Sequence, residues 1–206
     1  MERSFGRTKK GVTGLQMLEY CPVVTLQNSV EFDKVRDIFI TLRPRTIIEI
    51  GSFCGGTLWH WLRSTAPGAR FIVVDKPVPS DVTGYQSQKE GHGGLWQKWA
   101  DETGQHLTLF IGDSQDPKII QQVSIMANGA DFIYIDGDHE ESSVRSDVKN
   151  YGSLARDGGV VAFHDIKQSG VKPVWEELKQ RYETKEFLFR DIGTGTGVLF
   201  RIEKAA

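Results

Sequence analysis

Phe132-Ile-Tyr-Ile-Asp-Gly-Asp-His139 decides the reading of this chain, together with Val160-Val-Ala-Phe-His-Asp165 downstream. Each is a short, apolar, β-rich run that stops abruptly in carboxylates and imidazoles. Such a run, bounded by turn signals, is the pattern of a strand buried on both faces of a parallel sheet. In these sheets the loops beyond the carboxyl ends of the strands form the ligand crevice. Two strand ends would then gather Asp136, Asp138, His139, His164 and Asp165 in one small volume. Side chains of those types, so placed, can hold a divalent cation or move a proton.

Working outward, Thr46–Ile50, Phe71–Asp75 and Leu107–Ile111 read as three earlier strands, with Asp131–Asp136 the fourth and Val160–His164 the fifth. Helical patterns lie between them. Val35, Ile38, Phe39 and Leu42 mark one face that stops before Pro44. Thr57–Ser64, Pro117–Met126, Glu140–Leu154 and Pro173–Tyr182 follow. Asn28 with Glu31 resembles a capping box. Glu186–Arg190 and Val198–Ile202, joined by a Gly-rich turn, predict an antiparallel hairpin closing a parallel sheet. The fold class is therefore α/β, with an N-terminal arm over 1–28, a short helix near Leu15–Tyr20, and one domain over 29–206. Residues 76–105 form a long, irregular connection carrying Trp96 and Trp99 on a short helical pattern. Connections of that length are more often functional than idle.

The chain has 206 residues, 39% hydrophobic and 25% charged, with a formal charge of −2. That balance creates no field favouring nucleic acid or an anionic membrane. Cys21 and Cys54 form neither a metal-ligand spacing nor a disulfide framework. The charged N-terminus has no apolar run behind it, and no segment approaches membrane-spanning length. A soluble, cytoplasmic protein is expected, with no nucleic-acid or membrane partner. Whether it forms a homo-oligomer is open.

Glu49-Ile-Gly-Ser-Phe-Cys-Gly-Gly-Thr57 lies between the first strand and its helix. Glycines there let a ligand approach the backbone, and the helix N-terminus offers free N–H donors. A plain tight turn would also explain the glycines alone. Acids at the ends of three successive strands (Glu49, Asp75 and Asp113) favour a nucleoside ligand. Asp75 is placed to take ribose hydroxyls, and Gly112-Asp-Ser114 to reach an adenine edge. A dinucleotide fingerprint needs a second glycine where this chain has Phe53, and Glu49 would face a pyrophosphate unfavourably. A nicotinamide dehydrogenase is thus the weakest rival. The site suits a cationic, amino-bearing nucleoside such as S-adenosylmethionine.

From about residue 45 to 202 the chain resembles class I S-adenosylmethionine-dependent methyltransferases, on Glu49-x-Gly51-x-x-x-Gly55-Gly56-Thr57, Asp75 and Asp113. The series Asp136-Gly-Asp-His139, Asp147, Leu154, Asp157-Gly-Gly159 and His164-Asp165 is similar to the branch of macrocin-type sugar O-methyltransferases and cephalosporin-hydroxylase-like proteins. That resemblance implies a Rossmann-like, doubly wound, seven-stranded sheet of order 3-2-1-4-5-7-6 with its last strand antiparallel. Cofactor contacts are expected from Glu49, Gly51, Ser52, Phe53, Gly55, Thr57, Asp75, Asp113, Ser114 and Asp136. Members of the branch often use a divalent metal such as magnesium or manganese. The implied ligands are Asp136, His164 and Asp165, with His139 as catalytic base. Where several relatives have an acid this chain has His164, and imidazole suits zinc, iron, nickel or copper better than magnesium, so either the metal is not strictly magnesium or His164 stands behind the ligands or acts on protons.

The implied reaction is methyl transfer to a hydroxyl of a small molecule, a sugar or specialised metabolite. A cation can acidify that hydroxyl, and a histidine of ordinary pKa near 6.5 can take its proton. The alternatives are a metal-independent methyltransferase, in which His139 and His164 handle the proton, and a cofactor-binding protein without catalysis. Individual residues also have plainer readings. Asp136 could cap the following helix, and His164-Asp165 could be a fixed pair without metal. Asp138 reads best as a cap or outer acid, Trp96 and Trp99 as packing, and His60 as packing inside the first helix.

Overall fold

The computed structural model describes residues 21–23, 25–76, 92–127, 129–189 and 194–203. In chain order the elements are α1 (Ser29–Leu42), β1 (Thr46–Ile50), α2 (Gly56–Arg63), β2 (Arg70–Asp75), α3 (His92–Thr103), β3 (His106–Ile111), α4 (Pro117–Ala127), β4 (Ala130–Ile135), α5 (Glu141–Asn150), β5 (Ala155–Phe163), α6 (Val171–Arg181), β6 (Tyr182–Phe187) and β7 (Thr196–Glu203). One seven-stranded sheet runs β3-β2-β1-β4-β5-β7-β6. The first five strands pair in parallel, and β7 pairs antiparallel with both β5 and β6. This is the doubly wound, Rossmann-like sheet and strand order expected from the sequence.

The period of two along each strand splits the core into two layers. Ile48, Ile50, Ile133, Ile135, Val161 and Phe163 face α4, α5 and α6. Ile47, Phe132, Tyr134, Val160 and Ala162 face α1, α2 and α3, where Phe32, Phe39, Trp61 and Trp96 pack. Because helices cover both faces, β1 is buried at every position and reads as an unbroken apolar run with Glu49 set inside it. Trp96 and Trp99 are core side chains. His60 is buried against Phe32 of α1, ring centroids 5.4 Å apart, and burial, with Arg36 and Arg63 nearby, lowers its pKa to about 4. It is a neutral packing residue.

Several boundaries differ from the sequence reading. Strand β5 starts at Ala155, ahead of the Asp157-Gly-Gly159 turn, and a register shift between Ala130 and Phe132 absorbs that irregularity. The helix expected over Glu140–Leu154 ends at Asn150 and gives way to a single 3₁₀ turn, Gly152–Leu154. Strand β6 begins at Tyr182, directly after α6, so the alternating charges of Tyr182-Glu-Thr-Lys-Glu lie on the sheet's edge. Only half of the capping box forms. Asn28 Oδ1 accepts from Val30 N and Glu31 N at 3.0 and 3.3 Å, whereas Glu31 Oε1 accepts from Phe189 N at 2.7 Å. The helix expected near Leu15–Tyr20 lies outside the described residues. No described helix is long and apolar enough to cross a membrane.

Candidate active site

Gly51 leads β1 into its turn at φ +80°, and a Cβ there would sit 2.2 Å from the Asp136 carbonyl oxygen. Glycine alone allows the ends of β1 and β4 to approach so closely. Beyond it, Ser52 N and Phe53 N donate to Asp75 Oδ1 at 3.1 and 3.4 Å, so the acid ending β2 holds the glycine turn in place. Burial pushes Asp75 up to about 6, against those N–H groups. Asp75, Lys76, Ser114, Asp136 and Gly137 wall a cleft of about 400 Å³ over the turn. Asp113 stands at its exposed rim, with Oδ2 2.9 Å from Lys76 Nζ and Oδ1 accepting from Gln115 N.

Glu49 is completely buried on the α2 side of the sheet and accepts a hydrogen bond from Thr57 Oγ1. Burial pushes its pKa up to about 8, opposed by Thr57 and reinforced by Asp136. The acid is therefore mostly neutral at pH 7. A folded-state pKa above the unfolded value means that the native chain holds the extra proton. Its stabilising contribution is full below the ordinary value of 4.5 and is lost as pH rises through about 8. Glu49→Gln should therefore flatten the pH dependence. The urea unfolding free energies of the two proteins should agree near pH 5 and separate in favour of the variant above pH 8, by at most about 5 kcal/mol. Parallel pH profiles would show that Glu49 is not held neutral.

The ends of β4 and β5 bring Asp136, His139, His164 and Asp165 together beside a pocket of about 210 Å³. His164 Nδ1 lies 3.2 Å from Asp136 Oδ1 and 3.1 Å from Asp165 Oδ2. His139 Nε2 lies 3.0 Å from Asp165 Oδ2 and 3.8 Å from Asp136 Oδ1. Asp165 has φ +59°, a left-handed turn that brings its carboxylate back to the side of His164. Burial raises both acids, but His164 and His139, with Thr194 at Asp165, together outweigh it and each is held below the ordinary carboxylate range. Burial likewise opposes charge on His164, yet Asp136 and Asp165 push its pKa up to about 10. Asp136, His139 and Asp165 each offer one ligand atom, and these atoms lie within 4.8 Å of one another. His164 sits deeper, its side chain 7% exposed against 37% for His139. Asp138 accepts from Glu140 N and Ser143 Oγ at 3.2 and 2.9 Å, which ties it to the start of α5.

The sequence reading expected the N-terminal arm to help shape the acceptor pocket but named no residue in the segment just before α1. Thr25, Leu26 and Gln27 line the same pocket as His139 and Asp165. Their only signals are burial of Thr25 and Gln27, and a fit of Thr25 against Gly56 so close that a Cβ there would meet Thr25 Oγ1 at 2.0 Å. Nothing in the periodicity of residues 21–28 announces either. Asp147, quoted only within a motif, is a buried acid behind Gly137, raised to about 6 by burial against Ser114.

This architecture is shared widely. An O-methyltransferase from Bacillus cereus, solved with S-adenosylhomocysteine, superposes with TM-score 0.59 at 14% identity, covering 84% of this chain and 80% of that one. The O-methyltransferase TomG from Streptomyces achromogenes, solved with S-adenosylmethionine, gives 0.58 at 15% identity, covering 86% and 81%. An uncharacterised protein of Acanthamoeba polyphaga mimivirus is 26% identical over 122 residues, 59% of this chain and 52% of its own. The chain thus spans about half the length of that relative. The family described as "Methyltransferase domain" matches residues 48–166, more than half the chain. That span runs from the glycine turn to just past His164-Asp165, and it places the chain in the methyltransferase domain family.

Proposed function

We propose that the chain is a divalent-metal-assisted O-methyltransferase acting on a hydroxyl of a small molecule. The observation that carries this reading is the convergence of Asp136, His139 and Asp165, with ligand atoms within 4.8 Å, at the edge of the cleft over the glycine turn. His139 Nε2 is sealed from solvent without a well-directed hydrogen bond, although two carboxylates adjoin it. A cation satisfies that arrangement. Two carboxylate oxygens with one imidazole suit manganese or a similar ion, and tolerate magnesium. When bound, the ion would acidify a coordinated hydroxyl and fix its direction.

The remaining work falls to the chain's own residues. In the 400 Å³ cleft, Gly51 and Phe53 bring backbone to the methyl donor's seat, while Asp75 and Ser114 offer polar contacts to its nucleoside. His164, facing both carboxylates from Nδ1, keeps two buried acids side by side at low electrostatic cost. Thr25 and Leu26 form one wall of the pocket. The pocket's size, about 210 Å³, supports a small acceptor. Under this assignment His139 is a ligand rather than the base expected from the sequence, and His164 supports the acids rather than binding the ion.

One contact favours a second reading. His139 Nε2 lies 3.0 Å from Asp165 Oδ2, which also fits a base oriented by an acid and working without metal. Metal stripping separates the two. Turnover, followed as S-adenosylhomocysteine release over a panel of catechols, sugars and hydroxylated aromatics, should fall roughly a hundredfold or more after chelation. It should return with manganese or magnesium. Undiminished turnover in the stripped protein would return His139 to the role of base and remove the metal.

A further inference from the structure

Gln27 is 3% exposed and joins two groups at the end of β4. Its Nε2 donates to Asp136 Oδ2 at 2.8 Å, and its Oε1 accepts from the Tyr134 hydroxyl at 3.0 Å. The direction of both bonds is forced. An ionised carboxylate only accepts, so the amide's NH₂ end must face Asp136. Its carbonyl then faces Tyr134, whose hydroxyl must donate. Tyr134 is fully buried, so its hydroxyl has no water to turn to in place of Gln27.

The effect falls on one carboxylate. Asp136 Oδ2 is occupied by Gln27, which leaves Oδ1 turned to His164 at 3.2 Å and His139 at 3.8 Å. Rotation of the carboxyl group would trade those positions, and the amide opposes it. Gln27 is itself well anchored. Thr25, two residues earlier, is 4% exposed and packs on Gly56 at the start of α2.

We infer that Gln27 is a positioning residue. It fixes the Asp136 carboxylate with Oδ1 presented to the cation, and Tyr134 fixes Gln27 in turn. This rests on the metal reading proposed above. Residues that orient a ligand through its second oxygen typically govern metal affinity by ten- to a hundredfold.

The test is titration of Mn²⁺ alone into the full chain saturated with S-adenosylhomocysteine. Wild type should bind Mn²⁺, and Asp136→Asn should not. Gln27→Leu keeps the bulk but removes both bonds. It should weaken Mn²⁺ binding roughly tenfold or more, while S-adenosylhomocysteine affinity stays within about threefold. Tyr134→Phe should weaken it by about threefold to tenfold. The double variant should be no worse than Gln27→Leu, because both substitutions break one chain of contacts. Additive losses would instead mean a general loosening of the wall and would overturn the assignment. Wild-type affinity in Gln27→Leu, alongside loss in Asp136→Asn, would overturn it while sparing the metal reading. Failure of the wild type to bind Mn²⁺ would remove both. If Gln27→Leu does not fold, Gln27→Asn, one methylene too short to bridge, serves the same comparison.

Discussion

Asp165→Asn should cut methyl turnover by roughly a thousandfold or more while S-adenosylmethionine affinity stays within about threefold. The substitution is nearly neutral for the backbone, because asparagine accepts the left-handed conformation at φ +59° as readily as aspartate does. Size is conserved too. What changes is charge. A carboxylate 3.0 Å from His139 and 3.1 Å from His164 becomes an amide, so the proposed cation site loses one of its two acids. The effect should therefore appear in turnover and in metal affinity together, and leave the 400 Å³ cleft untouched. Equal losses in turnover and cofactor affinity would make Asp165 a structural residue, and a drop smaller than tenfold would remove it from the chemistry.

Gly51→Ala should be strongly destabilising, costing roughly 4 kcal/mol or more in urea unfolding. Two terms combine. The positive φ of +80° is unfavourable for any side chain, by about 1–2 kcal/mol. The added Cβ would also lie 2.2 Å from the Asp136 carbonyl oxygen, which is backbone and cannot swing aside. Gly68 supplies the control. Its φ is +86°, but nothing lies within 4 Å of a Cβ there, so Gly68→Ala should cost only the conformational term, about 1–2 kcal/mol. Equal costs at the two positions would show that the close approach of β1 and β4 is not what demands glycine.

The parts of the fold legible in the sequence were those governed by local pattern. Thr46–Ile50 and Phe132–Ile135 are continuous apolar runs because both faces of a central parallel strand are covered, and both paired as expected. The acids at the strand ends could be placed near one another from topology alone. Division of labour among them could not. Successive residues of a strand point to opposite faces, so His164 and Asp165 would face apart if β5 continued. The left-handed turn at Asp165 cancels that alternation, and no residue type before it signals the change. Asp75 was expected to be open to a ribose, but whether a strand-end acid also holds its neighbouring turn depends on backbone directions that spacing does not encode. Gln27 was invisible for a third reason. Its partners, Asp136 and Tyr134, are more than a hundred residues away. Only the packing of 25–27 across the α2 start brings them into reach.

The most direct measurement is a crystal structure grown with S-adenosylhomocysteine and Mn²⁺, read by anomalous scattering. One anomalous peak should appear, bound by Asp136, His139 and Asp165 at about 2.0–2.3 Å. The thioether sulfur should lie beside it, over the Gly51 turn. Anomalous signal elsewhere, none at all, or a cofactor seated away from that turn would contradict the proposed site.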